Sequence, residues 1–165
     1  MSQVTLKGNP CHTNGELPAV GAKAPAFELV GADLGTLELK NFAGENLVLN
    51  IFPSVDTPTC ATSVRTFNQK AASLGGTKVL CVSRDLPFAQ KRFCAAEGIE
   101  GVVNGSAFRG SFLSDYGVEL TDGPLKGLAA RAVVVLDGEG TVKHTQLVGE
   151  IADEPDYDAA LASIS

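Results

Sequence analysis

Four cysteines are the reactive side chains of this sequence: Cys11, Cys60, Cys81 and Cys94. No two of them form a Cys-x-x-Cys pair, which excludes a dithiol centre of that spacing and most zinc-ribbon sites. In a reducing compartment a structural disulfide is not expected, so each thiol is by default a small buried hydrophobe. A reactive cysteine must therefore be identified from its surroundings.

The surroundings of Cys60 favour an activated thiol. It ends the segment PSVDTPTC, residues 53–60, which lies between a predicted buried strand and a predicted helix, where open α/β sheets usually place their sites. Thr57 suits the N-cap and Pro58 the first helical position, which puts Cys60 in the first turn. Unpaired backbone N–H groups and the helix dipole stabilise an anion there, and the thiolate is the nucleophilic form of cysteine.

A second interpretation of Cys60 fits the spacing equally well. Cys60, Val64, Phe67 and Ala71 recur at helical spacing, so they can form one stripe of the core in which the thiol is inert. Asp56 also argues against activation, because a nearby carboxylate disfavours a thiolate. Spacing alone leaves both interpretations open.

Alternating strands and helices are predicted to position this segment. Nearly continuous apolar runs predict buried strands, and helical periodicity with cap signals predicts helices. The expected strands are 26–30, 36–39, 47–52, 79–82, 102–103, 132–136 and 141–148, and the expected helices are 57–73, 85–97, 108–116 and 156–164. Asp85 is the expected N-cap of the second helix, which Gly98 follows.

The pattern as a whole predicts a single α/β domain over residues 1–165, with a mixed central sheet and helices on both faces. No repeat, low-complexity tract or linker divides the chain, and its length of 165 residues suffices to bury a core without disulfide or metal. An N-terminal β-hairpin is expected from the alternation over residues 3–6 and the turn signal Asn14-Gly15.

Composition excludes several classes of partner. Lys plus Arg is 13 and Asp plus Glu is 19, so the net charge is −6, and no basic run is present; nucleic acid and anionic membrane are therefore not expected partners. No apolar run approaches the ~20 residues of a membrane span. The N-terminus MSQVTLKGNP lacks the features of a secretory signal, so we expect a cytoplasmic location.

Beyond these patterns, the segment PSVDTPTC followed by SVRTFN closely resembles the active-site segment of the peroxiredoxins, in particular of the bacterial thiol peroxidase subfamily. The segments SRDLPFAQKRFCAAEG, DGPLKGLAARAVVVLD and EPDYDAAL also resemble that subfamily, so the similarity extends over nearly the whole chain. The resemblance implies a thioredoxin-like fold and a peroxidase with antioxidant function.

The resemblance also implies a role for each residue of the site. Cys60 would attack a hydroperoxide and become a sulfenic acid. Thr57 would hydrogen-bond the thiolate and the peroxide, and Pro53 would shield the site from water. Arg131 would offer charge to the sulfur and donors to the peroxide oxygens, whereas its position alone suits a solvated arginine at a strand end.

Cys94 would be the resolving cysteine, forming an intrachain disulfide with Cys60 that thioredoxin reduces. Because the two Cα atoms of a disulfide lie within ~7 Å, we expect a helix end to unwind on oxidation. No metal, flavin or nicotinamide is implied, and no phosphate-binding loop is present. The resemblance further implies a homodimer and reduction of alkyl hydroperoxides and hydrogen peroxide.

Other interpretations remain open at this stage. A hydrolase with a Cys-His pair is disfavoured because neither histidine lies in a recognisable active-site segment; a non-enzymatic peroxide sensor or binding module shares the first chemical step. Cys81 is expected to be structural, and Cys11 is open as a surface thiol. Three phenylalanines are candidates to line an apolar pocket or to lie in the core: Phe52, Phe88 and Phe93.

Overall fold

The computed structural model describes residues 1–71 and 74–164. In chain order, its strands and helices are β1 (Gln3–Leu6), β2 (Asn9–His12), β3 (Glu28–Val30), β4 (Thr36–Glu38), β5 (Asn46–Ile51), α1 (Pro58–Ala71), β6 (Thr77–Ser83), α2 (Pro87–Glu97), β7 (Val103–Ser106), α3 (Phe112–Asp115), β8 (Ala132–Leu136), β9 (Val142–Leu147) and α4 (Tyr157–Ala162). A short 3₁₀ turn, Leu39–Phe42, precedes β5.

Within the described ranges, seven strands form one mixed sheet in the order β4-β3-β7-β6-β5-β8-β9. β5, β6 and β7 are parallel neighbours, whereas β8 and β9 run antiparallel to the strands beside them. β1 and β2 form a separate antiparallel hairpin. The predicted α/β fold with a mixed sheet and an N-terminal hairpin is therefore confirmed.

Strands β5, β6 and β8 are largely apolar on both faces because each face carries its own core. On β5, Leu47, Leu49 and Ile51 face one cluster with α3. Val48, and Phe52 just after the strand, face a second cluster built with α1, α2 and α4. The same two-residue alternation holds along β8. This arrangement explains why the strand sequences are nearly continuous apolar runs.

The boundaries differ from expectation in places with clear physical causes. The hairpin turn lies at Lys7-Gly8 rather than at Asn14-Gly15; Lys7 (φ 51°) and Gly8 (φ 82°) supply the two positive φ angles of a type I′ turn. Leu86, not Asp85, is the N-cap of α2, and Gly98 follows the helix as predicted. Residues 72 and 73 of the expected first helix lie outside the described residues.

The remaining predicted elements are present with small shifts. The third helix is shorter than expected and begins at Phe112. The last helix begins after Asp156, whose carboxylate accepts a hydrogen bond from Ala159 N at 3.0 Å. No helix in the described ranges is long and apolar enough to cross a membrane.

Gly117 is predicted to be indispensable for stability. Its φ is +70°, and a Cβ there would lie 2.2 Å from the carbonyl oxygen of Glu16. Because an alanine would combine a strained conformation with a backbone clash, we expect Gly117→Ala to lower the free energy of unfolding by about 2 kcal/mol or more. Thermal denaturation should show a Tm lower by roughly 4 °C or more. Gly149→Ala is the matched control, because a Cβ at Gly149 meets no atom within 4 Å; equal losses in both variants would contradict this prediction.

Candidate active site

Cys60 lies in the first turn of α1, as the cap signals predict. Pro58 is the first residue of α1, and Ala61 N donates to the carbonyl of Thr57 at 3.0 Å, which closes the first turn. The Cys60 side chain is fully buried, in the cluster that also contains Val64 and Phe67. The core-stripe interpretation is therefore correct in its geometry, and it does not exclude a reactive sulfur.

Arg131 is the polar partner of that sulfur. Its Nη2 donates to Cys60 Sγ at 3.1 Å, and its Nε donates to the carbonyl of Ile151 at 2.8 Å. The side chain is only 1% exposed, so the alternative of a solvated arginine at a strand end is wrong. Since an arginine carries a positive charge in proteins, this contact places a buried positive charge beside the Cys60 sulfur.

The third nitrogen of the guanidinium has no partner. Nη1 of Arg131 is buried and makes no hydrogen bond within the described part of the chain. Leaving such a donor unpaired costs roughly 1–3 kcal/mol. An acceptor that arrives beside Cys60 would satisfy it.

A pocket of about 300 Å³ reaches this group from the surface. Its lining includes Arg131 and two other residues singled out in the sequence, Pro53 and Thr57. The remaining lining residues are Leu6, Lys7, Pro58, Thr59, Leu125, Ile151 and Ala152. The sulfur itself lies behind this lining, so a small molecule in the pocket meets the guanidinium and the threonine first.

The hydroxyl of Thr57 donates its hydrogen to a backbone carbonyl in this structure. Its Oγ1 donates to the carbonyl of Ser54 at 2.9 Å. A hydroxyl has one hydrogen and two acceptor sites, so Thr57 offers a peroxide an acceptor, and offers a donor only after exchanging its bond with Ser54.

The carboxylate of Asp85 holds the loop that carries Pro53 and Thr57. Asp85 was the expected N-cap of α2; instead its Oδ1 accepts from Ser54 Oγ at 2.7 Å and its Oδ2 accepts from Val55 N at 2.8 Å. These partners lie about thirty residues away in sequence, so local cap rules do not reveal them.

Cys94 lies in the last turn of α2 and is also buried, with 9% of its surface exposed. Asn104 Nδ2 donates to its Sγ at 3.1 Å. Burial raises the pKa of the Cys94 thiol, and the bond from Asn104 opposes that rise. All four cysteines are free in this structure.

Comparison with known proteins identifies the chain. The Redoxin family matches residues 19–161. The chain is 62% identical to a thiol peroxidase of Mycobacterium tuberculosis, covering 99% of each chain, and 58% identical to a thiol peroxidase of Corynebacterium glutamicum over 100% of each. The chain belongs to the Redoxin family.

Structural comparison agrees with this assignment. A peroxiredoxin-like protein from Aquifex aeolicus superposes with a TM-score of 0.93 at 42% identity, covering 98% of this chain and 95% of that one. A thiol peroxidase from Chromobacterium violaceum shares the fold, with a TM-score of 0.91 at 22% identity and the same coverage. The predicted resemblance to peroxiredoxins of the thiol peroxidase type is confirmed, and the chain is a peroxiredoxin-type peroxidase that reduces peroxide.

The other two cysteines of this peroxidase, Cys81 and Cys11, are buried in the core. Cys81 faces the α1 side of the sheet, and burial raises the pKa of its thiol to about 12. Cys11 is not a surface thiol: it lies on β2 of the hairpin and is buried with Val4, Leu120 and Ile151. Burial, followed by the charges of Asp122 and Glu150, raises the pKa of the Cys11 thiol.

Neither histidine of the peroxidase is placed to serve Cys60. His12 Nδ1 binds Asp122 at 2.7 Å on the hairpin, and His144 lies on the edge strand β9. Among the described residues, no group of three or more His, Cys, Asp or Glu side chains is placed to hold a metal ion.

The phenylalanine candidates do not line the active-site pocket. Phe52 and Phe93 are buried in the core, and Phe88 is 66% exposed on α2. The apolar contributors are instead Leu6 and Leu125, together with Ile151. They come from the hairpin and two later loops, and no sequence pattern linked these segments to Cys60.

Two buried polar residues that the sequence patterns did not single out fix the first turn of α1. Asn50 Nδ2 donates to Ser63 Oγ at 3.2 Å, and Ser63 Oγ donates to the carbonyl of Cys60 at 2.8 Å. Both side chains are fully buried. An asparagine within the apolar run LVLNIF was the available signal, because a buried polar side chain requires a partner.

Glu150 fastens the hairpin over the pocket of the peroxidase. Its Oε1 accepts from Gly8 N at 2.9 Å and from Thr5 Oγ1 at 3.0 Å, and its Oε2 accepts from Ala152 N at 2.8 Å. The backbone bonds from Ala152 and Gly8 lower the pKa of Glu150 to about 2. The carboxylate thereby holds Leu6 and Lys7 at the rim of the pocket.

The depressed pKa of Glu150 predicts a pH-dependent contribution to stability. A carboxyl whose pKa is lowered on folding stabilises the fold above its unfolded pKa near 4.5 and loses that contribution as pH falls toward its folded pKa near 2. We therefore expect Glu150→Gln to be less stable than the wild type at about pH 7, with the difference shrinking below about pH 4.5. Urea denaturation across this range measures it. Glu100→Gln, at an exposed glutamate outside the hairpin, is the control; a Glu150→Gln difference constant down to about pH 3 would contradict the assignment.

Proposed function

We propose that this peroxidase reduces hydroperoxides through a sulfenic acid at Cys60, which Cys94 converts to an intrachain disulfide and thioredoxin reduces. The observation that carries the proposal is the arrangement of Arg131: its Nη2 is bonded to the Cys60 sulfur at 3.1 Å, and its Nη1 is buried with no hydrogen-bond partner among the described residues. One guanidinium thus stabilises the nucleophile and keeps a donor free for the group it attacks.

In the first step, the Cys60 thiolate attacks the terminal oxygen of the hydroperoxide. An S–O bond forms and the O–O bond breaks; the sulfur is oxidised by two electrons, and the remaining oxygen leaves as an alcohol or water after taking up a proton. Arg131 Nη1 donates to the charge that develops on the oxygens, the type of stabilisation that contributes most in such sites. Thr57 and Pro53, which line the same pocket, orient the peroxide and limit water.

In the second step, Cys94 attacks the Cys60 sulfenic acid, and a disulfide forms with release of water. The Cys94 thiol must first leave its buried position, where its pKa is raised, because the thiolate is the attacking form. Cys60 lies in the first turn of α1 and Cys94 in the last turn of α2. Unwinding a helix end breaks few hydrogen bonds, so these positions favour a local rather than a global opening.

The apolar part of the pocket supports organic hydroperoxides as substrates in addition to hydrogen peroxide. Leu6, Leu125 and Ile151 line it, and contact with an alkyl group there adds binding energy that hydrogen peroxide cannot obtain. We propose an antioxidant role in the cytoplasm, a homodimeric assembly, and no bound cofactor, since the electrons come from the thioredoxin dithiol.

Substitution of Cys60 and of Cys94 should block different steps of the proposed mechanism. Cys60→Ser should abolish NADPH consumption in an assay with thioredoxin, its reductase and cumene hydroperoxide, because no nucleophile remains. Cys94→Ser should oxidise once and then stop, because the sulfenic acid cannot form the disulfide. Cys81→Ala is the matched cysteine control and should retain turnover. Full steady-state activity in Cys60→Ser, or peptide mapping that joins Cys60 to Cys11, would show the mechanism to be wrong.

Arg131 predicts a defect in the chemical step. Arg131→Lys keeps a positive charge but loses the second donor, so we expect the single-turnover rate with cumene hydroperoxide to fall roughly 100-fold to 1,000-fold, as for loss of one preorganised donor. Stopped-flow kinetics measures the rate, and thermal denaturation checks that the variant is folded. Arg109→Ala, at an exposed arginine away from the pocket, should leave the rate unchanged; a folded Arg131→Lys protein with the wild-type rate would remove Arg131 from the mechanism.

A further inference from the structure

Asp85 joins the two segments that lead into the cysteine-bearing helices. It lies between the end of β6 and Leu86, the N-cap of α2. Its carboxylate accepts from Ser54 Oγ at 2.7 Å, from Val55 N at 2.8 Å and from Ser83 Oγ at 2.7 Å. We call these three hydrogen bonds the Asp85 clamp.

The clamp determines the position of groups that line the pocket. Ser54, held through its hydroxyl by Asp85, accepts the Thr57 hydroxyl through its own carbonyl at 2.9 Å. The Ser54 hydroxyl also accepts from Asp56 N at 3.1 Å. Ser54 therefore connects Asp85 to Thr57 through two hydrogen bonds, one at its hydroxyl and one at its carbonyl. Pro53 immediately precedes Ser54 in the chain.

The base of the clamp is itself rigid. Ser83 is fully buried and also accepts from Gln90 Nε2 at 3.1 Å, which connects it to the first half of α2. Gln90 in turn donates to the carbonyl of Gly105 on β7 at 3.2 Å. The carboxylate is therefore anchored to the sheet and to α2, and the segment free to move when the clamp opens is the loop of Ser54 and Val55.

We propose that Asp85 is a positioning residue of the peroxidase, whose clamp holds the Cys60 loop in the arrangement that reacts with peroxide and must open before Cys94 reaches Cys60. The inference rests on the proposed roles of Cys60 and Cys94. The clamp consists of bonds to a charged acceptor, which are the stronger kind, so closing it favours the first step and opening it limits the second. Asp85 touches neither the peroxide nor the reacting sulfur.

The proposal predicts opposite changes in the two steps when the clamp is removed. In Asp85→Ala on a Cys94→Ser background, peroxide oxidation of Cys60 should slow roughly 10-fold to 100-fold, because Thr57 and Pro53 lose their fixed positions. In Asp85→Ala with Cys94 present, conversion of sulfenic acid to disulfide should be roughly tenfold faster, because the loop no longer has to break charge-assisted bonds. Rapid-quench experiments with dimedone trapping of the sulfenic acid and mass spectrometry measure both rates.

The controls separate positioning from simple loss of stability. Asp115, on the short helix α3, accepts from the hydroxyl of Ser111 at the same distance of 2.7 Å. Asp115→Ala removes that carboxylate and should change neither rate. Ser54→Ala removes one bond of the clamp while its carbonyl still accepts from Thr57, so it should show both changes at smaller size. It also serves as the test if Asp85→Ala does not fold.

Each outcome decides the proposal. Slower oxidation with faster disulfide formation supports the clamp. If both rates fall, Asp85 has only a structural role, and if neither changes in Asp85→Ala or Ser54→Ala, the clamp has no effect on the reaction; either result overturns the proposal. Failure of the proposed function itself would be seen separately, as full turnover in Cys60→Ser with wild-type Asp85.

Discussion

The buried contact between Arg131 and Cys60 is the interaction on which the site depends. A guanidinium removed from water costs several kcal/mol unless its charge and donors are compensated. Here the compensation is one carbonyl, that of Ile151, and one sulfur. In the proposed mechanism the Cys60 sulfur attacks as a thiolate, and a negative charge on it would compensate the buried cation directly.

The sheet explains why Arg131 reaches Cys60. Along β8, Val133 and Val135 face the α1 side and Ala132, Val134 and Leu136 face the other. Arg131 precedes β8 and shares the parity of Val133, so strand alternation directs it toward α1. β8 pairs with β5, with Ala132 opposite Ile51, and β5 leads directly into the loop of Cys60. Neighbouring strand ends thus bring together two residues that are 71 positions apart in sequence.

The sequence predicts features that depend on local interactions, and it does not predict those that depend on residues distant in the chain. Apolar runs and cap signals are local, and they placed the buried strands, the start of α1 and the position of Cys60 within it. The errors concern partners that are distant in sequence. Asp85 was expected to cap α2 but binds Ser54 and Val55, and Cys11 was open as a surface thiol but is a hairpin residue buried against Leu120 and Ile151. The burial of Arg131 could have been inferred from the alternation of side chains along β8, because Arg131 falls on the side that faces α1. The residues that line the pocket could not have been inferred in this way, because they come from separate loops.

A peroxidase that resolves its sulfenic acid within one chain has to meet two opposed requirements. In the proposed mechanism, the first step needs a closed loop, with Pro53, Thr57 and Arg131 around the sulfur. The second step needs that loop to open, because Cys94 lies on a different helix, α2, where it is buried and accepts a hydrogen bond from Asn104 of β7. Carboxylates fasten the walls of the pocket on both sides, Asp85 at the Cys60 loop and Glu150 at the hairpin. Since Glu150 binds the hairpin and Asp85 binds the loop, the loop can open while the hairpin stays in place. The pocket proposed to receive an alkyl group would then survive each turnover, and only the part that holds the sulfur would have to rearrange.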